Sequence, residues 1–194
     1  MWTKHAAEQL EHPAYVPPTI ITGGSDLLQS ALVAESWMAV LDFGCATGLW
    51  LNYFRGGSRY VGLDQNAAML EGARRRWDGD GFPEWVLHQG VADGIRLPFA
   101  DGTFDVVFTC AVLQHNSLQD RAAILPEFRR VLRLGGRYLG YEETYGPFNP
   151  TPAHQEERDI DEWGHSQEGW RRAFGSHGFA CTLQQECFHV FRAV

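Results

Sequence analysis

The sequence predicts an α/β fold: a mainly parallel sheet covered by helices on both faces and closed by an antiparallel C-terminal strand. Three observations carry this expectation. Short apolar runs alternate with helix-patterned segments between residues 25 and 145, which is how strand-helix-strand units read. Runs such as FDVVFTC are apolar at nearly every position, and strands of that kind are buried on both faces. The last two strand-like runs, within FACTLQQECFHVFRAV, follow each other too closely for a crossover helix, so they must pair antiparallel.

Each element has its own reason. SDLLQSALVAE reads as a helix capped by Ser25, and MAVLDFG as a short buried strand. TGLWLNYFRG reads as a helix following a glycine turn. RYVGLD is a strand ending in Asp64, and NAAMLEGARRRW a helix that turns Met69 and Leu70 inward. EWVLHQG and FDVVFTC are strands, LQDRAAILPEFRRVLR a helix, and GGRYLGYEE a strand. SQEGWRRAFGSHG is a helix ahead of the terminal pair. Two stretches resist both periods: EHPAYVPPTIITGG, where Pro13, Pro17 and Pro18 break any helix, and the acidic GPFNPTPAHQEERDIDEWGH. Residues 1–24 and 146–165 are therefore expected to be lids on a single domain spanning residues 1–194.

Composition narrows the functional classes. A chain of 194 residues suits one domain, and 16 basic against 24 acidic side chains leave a net charge of −8, which argues against a nucleic-acid footprint. A small-molecule partner is expected. Cys45, Cys110, Cys181 and Cys187 form no CxxC pair, so reduced thiols are expected rather than zinc or a disulfide framework. The acidic tract flanked by His154 and His165 has no metal-ligand spacing, and no metal is expected. The start MWTKHAAEQLEHPAY lacks an apolar signal core, and no run approaches the roughly 20 apolar residues of a membrane span. A soluble, cytoplasmic protein is expected.

The chemistry concentrates at strand ends, where α/β sheets bind ligands. VLDFGCATG ends the first strand in a glycine turn, but its D-x-G-x-A-x-G spacing departs from G-x-G-x-x-G. Asp42, just ahead of the turn, would repel a pyrophosphate and favour an ammonium or sulfonium. Asp64 stands about where a second-strand acid reaches a ribose diol. Asp93 and Gly94, in ADGIRLPFADG, offer an acceptor and a donor for an adenine edge. The glycine turn alone serves several nucleotide ligands and decides nothing.

Four motifs in order, VLDFGCATG, GLDQNAAML, ADGIRLPFADGTFDVVF and VLQHN, cover roughly residues 35 to 145 and resemble the class I, seven-stranded S-adenosylmethionine-dependent methyltransferases, in the branch containing many small-molecule enzymes. The resemblance implies a Rossmann-like three-layer sandwich with a seven-stranded sheet. It implies S-adenosyl-L-methionine as cofactor, with S-adenosyl-L-homocysteine as product. By the resemblance, Asp42, Gly44, Cys45, Ala46 and Gly48 surround the methionine part, Asp64 and Gln65 the ribose, Met69 the adenine face, and Asp93 and Gly94 its edge. Cys110 would lie beside the methionine moiety. Ala46 departs from the family, which more often has glycine there; its methyl is tolerable at negative φ and should weaken binding at positive φ.

Methyl transfer needs alignment of acceptor and methyl in a dry pocket, and a base only where the acceptor holds its proton. His115 in VLQHN, and Glu142 and Glu143 in GYEETYG, are the candidate bases, although His115 can equally serve the backbone. The two glutamates point to opposite faces of the strand end, so at most one should serve the site. Aminopropyl transfer, an NAD-linked reaction and a non-catalytic or partner-dependent adenosyl-binding role stay open beside the transfer of methyl to an O, N or C atom of a small molecule.

Overall fold

The structure is a computed structural model that describes residues 38–54, 59–77, 85–89, 96–142, 166–185 and 188–194. It divides into two compact units, residues 1–90 and 91–194. The helix after Ser25, the lead-in 1–24 and the insertion 146–165 lie outside the described residues.

In the first unit, β1 (Ala39–Phe43), β2 (Arg59–Asp64) and β3 (Trp85–Gln89) form a parallel set in the order β3-β2-β1. Val40, Leu41, Val61 and Leu63 are buried, the result of a strand interior that is apolar on both faces. The helix α1 (Ala67–Trp77) buries Met69, Leu70 and Ala73 on one side and leaves Arg74 and Arg75 exposed. Asn66 starts it, its side-chain oxygen accepting the Ala68 amide at 3.0 Å. The helix expected over TGLWLNYFRG is shorter: a turn runs to Trp50, and a 3₁₀ helix covers Leu51–Phe54. Gly48, at φ 70°, keeps the intervening chain out of the helical region.

The second unit contains β4 (Phe104–Cys110), a 3₁₀ turn (Leu113–His115), α2 (Leu118–Val131), β5 (Leu132–Tyr141), α3 (Gln167–Gly175), β6 (Phe179–Gln185) and β7 (Phe188–Ala193). Its strands lie in the order β4-β5-β7-β6. β4 and β5 are parallel, whereas β7 is antiparallel to both β5 and β6, so the expected reversal at the C-terminus is present. Ser117 and Asp120 close a capping box on α2, and Ser166 caps α3. Strand β5 begins at Leu132, earlier than GGRYLGYEE suggested, because a bulge between Phe104 and Val106 takes up the register shift along LRLGG.

Packing in this unit centres on aromatic rings. Phe174 of α3 stacks on Phe191 of β7 with centroids 4.2 Å apart, and Tyr138 lies 4.4 Å from Phe174. Fully buried rings of this kind cost about 3–5 kcal/mol when truncated to alanine. Arg130 secures the approach to β4: its guanidinium donates to the carbonyls of Leu97 and Phe99 and to Asp101, and it pairs with Glu127. Segment 96–102 is thereby tied to α2.

Candidate functional site

In the first unit the glycine turn meets the end of β2. Asp42 sits on β1 directly opposite Gly62 on β2. Tyr60, two residues earlier and so on the same face, passes the side-chain-free Gly62 and donates its hydroxyl to Asp42 at 2.5 Å. Only 1% of Asp42 is exposed. Burial pushes its carboxyl up to about 7; the Tyr60 bond opposes the shift and the neighbouring Asp64 charge adds to it. Its carboxyl therefore acts from inside the unit.

The turn's amides are committed within the protein. Those of Gly44 and Cys45 donate to the Leu63 carbonyl at 2.7 and 3.1 Å, and that of Gly48 to the Cys45 carbonyl at 2.8 Å. The Ala46 amide donates to Asp64 Oδ2 at 2.9 Å, and the Asn66 amide to Asp64 Oδ1 at 2.8 Å. Asp64 is half-buried, and its carboxyl is raised by burial against these two bonds. Gly44, Ala46 and Gly48 all have positive φ, at 77°, 47° and 70°. For Ala46 this is the strained alternative, costing an L-residue about 1–2 kcal/mol.

In the second unit the end of β4 meets the end of β5. Glu142 is fully buried and accepts from the Thr109 hydroxyl at 2.6 Å, the Val112 amide at 3.1 Å and the Gln114 amide at 3.1 Å. Thr109 has one proton to give and gives it to Glu142, so the Tyr138 hydroxyl donates to Thr109 at 2.7 Å. Burial pushes the Glu142 carboxyl up to about 7 despite these donors. His115 ends the 3₁₀ turn half-buried, its amide bonded to the Val112 carbonyl at 3.0 Å.

The residues singled out in the sequence are thus placed as follows. Asp42, Gly44, Cys45, Ala46, Gly48 and Asp64 gather around the ends of β1 and β2 in the first unit. Gln65 is exposed just beyond Asp64, whereas Met69 is buried in α1 with 2% exposure. Cys110, His115 and Glu142 share the strand-end cluster of the second unit. Asp93, Gly94 and Glu143 lie outside the described residues. Sequence reasoning missed Tyr60, Asn66 and Thr109. Tyr60 had a signal in Gly62, which clears its path, and Asn66 had the N-cap preference for asparagine; a threonine inside an apolar strand gave none. Cys45, Cys110 and Cys181 form no disulfide. Among the described residues no cluster of three or more His, Cys, Asp or Glu side chains is arranged for a metal, and no helix is long and apolar enough to cross a membrane.

Comparison with known proteins shows the family. Residues 41–140 of the 194 match the family described as the methyltransferase domain. The chain is 36% identical over 123 residues to a demethylmenaquinone methyltransferase of Thermobifida fusca, covering 62% of this chain and 50% of that protein. It is 32% identical over 130 residues to the methyltransferase GfsG of Streptomyces halstedii, covering 64% of this chain and 45% of the relative. The chain thus spans about half the length of these curated relatives. The geranyl diphosphate C-methyltransferase of Streptomyces coelicolor A3(2), solved with S-adenosyl-L-homocysteine, superposes with a TM-score of 0.66 at 20% identity, covering 82% of this chain and 59% of that one. That likeness shows the Rossmann-like fold, mostly parallel with an antiparallel C-terminal strand. The chain belongs to the methyltransferase domain family, in its class I S-adenosylmethionine-dependent group.

Proposed function

We propose that the chain is an S-adenosylmethionine-dependent methyltransferase that passes a methyl group to an O, N or C atom of a small-molecule acceptor. Asp64 carries this reading. Each of its oxygens accepts one backbone N–H, which leaves one acceptor position on each for a pair of vicinal hydroxyls. A pyrophosphate finds the opposite: the amides of Gly44, Cys45, Ala46 and Gly48 already donate within the protein, and two carboxylates stand beside them. The residues fit an adenosyl ligand and not a dinucleotide phosphate.

The bound cofactor would supply an electrophilic methyl on a sulfonium. The chain's own residues would do the rest. Asp64 and Gln65 hold the ribose, Asp42 with the turn Gly44, Cys45, Ala46 and Gly48 the methionine part, Met69, Asp93 and Gly94 the adenine, and Cys110 keeps the methionine-side role that the resemblance gives it. Orienting the acceptor can contribute up to roughly 7–11 kcal/mol. Of the two described candidate bases, half-buried His115 has exposed surface and Glu142 has none, so His115 is the better placed to meet an acceptor, with Glu143 kept as the third candidate.

The small-molecule assignment is supported by the relatives, whose names specify demethylmenaquinone and geranyl diphosphate. A single methyltransferase domain is supported by a family match over residues 41–140 that runs through the boundary between the units. The net charge of −8 supports a metabolite over nucleic acid. The test is an acceptor screen that reads out S-adenosyl-L-homocysteine, run over quinols, prenyl diphosphates and carboxylic acids. Acceptor-dependent product that disappears in Asp64→Ala is expected. Product formation undiminished by that substitution would contradict the ribose assignment.

A further inference from the structure

Glu142 holds the turn after β4 in a conformation the turn would not keep alone. Ala111 has φ 54°, a left-handed backbone that costs an L-residue about 1–2 kcal/mol. Val112 follows with φ −115° and ψ −55°, in the right-handed region. A left-handed residue followed by a right-handed one points successive amides into a common concavity, an anion nest. Here the anion is internal: the Val112 and Gln114 amides converge on the Glu142 carboxylate. The Ala111 amide is anchored separately, to the Tyr141 carbonyl at 2.8 Å.

The surroundings are built to deliver that carboxylate. Thr109 on β4 donates to it from below, and Tyr138 donates to Thr109. The Tyr138 ring crosses Gly140, where a Cβ would come within 2.5 Å of the ring carbon Cζ. Any side chain at position 140 would displace Tyr138, so this glycine is required by close approach. With no exposed surface and both oxygens accepting hydrogen bonds, Glu142 is not placed to take a proton from an acceptor.

We propose that Glu142 is a positioning residue: its carboxylate fills the nest at Val112–Gln114, holds Ala111 left-handed, and so fixes where Cys110, Val112 and His115 stand. The functional part rests on the methyltransferase reading; the structural part does not. Among the described residues, the other titratable groups beside it are Tyr138 on β5 and His189 on β7, with Cys110 at the end of β4 and His115 on the 3₁₀ turn in the same cluster. Burial raises the Tyr138 hydroxyl, and it lowers His189 to about 4 against a bond to the Glu142 carbonyl. The carboxyl itself is the group that burial brings to about 7.

The test has two arms. In the first, backbone amide NMR of the full chain follows Val112, Leu113 and Gln114 from about pH 5.5 to 8.5, bracketing the raised carboxyl. A shared inflection in the wild type that is missing from Glu142→Gln is expected. Amides that do not titrate in the wild type, or titrate alike in both proteins, overturn the proposal, and the wild-type curve decides even if the variant fails to fold.

In the second arm, calorimetry measures S-adenosyl-L-homocysteine binding. Glu142→Gln should weaken it about tenfold, the worth of one charge-assisted hydrogen bond, and adding Ala111→Gly should restore most of that loss because glycine is left-handed at no cost. A double variant as weak as Glu142→Gln overturns the role of the strained turn. A wild type that ignores S-adenosyl-L-homocysteine overturns the methyltransferase reading and the functional part with it, while the amide titration still decides what Glu142 does.

Discussion

Replacing Ala46 by glycine should stabilise the protein, against the usual direction of an alanine-to-glycine change. Ala46 is half-buried with φ 47°, in a turn whose two glycines share the same backbone region. Left-handed backbone costs alanine about 1–2 kcal/mol. Glycine gives back roughly 0.5–1 kcal/mol through the larger entropy of its unfolded chain. The net gain is about 0.5–1 kcal/mol, equivalent to a rise of roughly 1–4 °C in Tm for a chain of this size. Thermal unfolding of Ala46→Gly is compared with Ala68→Gly, an exposed position in α1 that should lose up to about 1 kcal/mol. Opposite signs are expected. Destabilisation by both substitutions to a similar extent would refute the claim that Ala46 is strained.

Other outcomes follow from the same geometry. Tyr60→Phe should cost about 1–3 kcal/mol in chemical denaturation, because it strips the hydroxyl from a carboxylate with 1% exposure. It should also push Asp42 further up, visible in a carboxyl NMR titration. Asp42 and Glu142 bind protons more tightly folded than unfolded, so their favourable contribution is complete below the ordinary carboxylate range and is lost as pH rises through about 7. His189, lowered by burial to about 4, works the other way up to its ordinary range, so stability should fall between about pH 6.5 and 8, and Asp42→Asn should reduce that slope. A flat profile in the wild type would show that neither carboxyl is raised. Ser117→Ala, which opens the capping box of α2, should lower stability by about 1 kcal/mol in the same assay.

How much was legible in the sequence depended on how local the physics is. RYVGLD and FDVVFTC are strands to the residue, because continuous apolar runs leave no choice of face. The antiparallel end followed from chain length alone. The start of β5 was misjudged because helix propensity along VLRL conceals a bulge set by the partner strand. Asp64 was found by its distance from the glycine turn, but its bond to the Ala46 amide depends on where β2 ends against that turn. The sign of φ at Ala46 could not be read, since both signs satisfy the same motif. Glu142 could be named but not understood: its burial depends on Thr109, Tyr138 and the bare Gly140, which the fold brings together from two strands.

Titrating S-adenosyl-L-homocysteine into the wild type and Asp64→Ala by calorimetry, with Tm recorded for both, tests the adenosyl assignment most directly. Saturable one-to-one binding is expected in the wild type, weakened about 100-fold in the variant, the worth of two hydrogen bonds to a charged group. No binding by the folded wild type, or equal binding by both proteins, would contradict it.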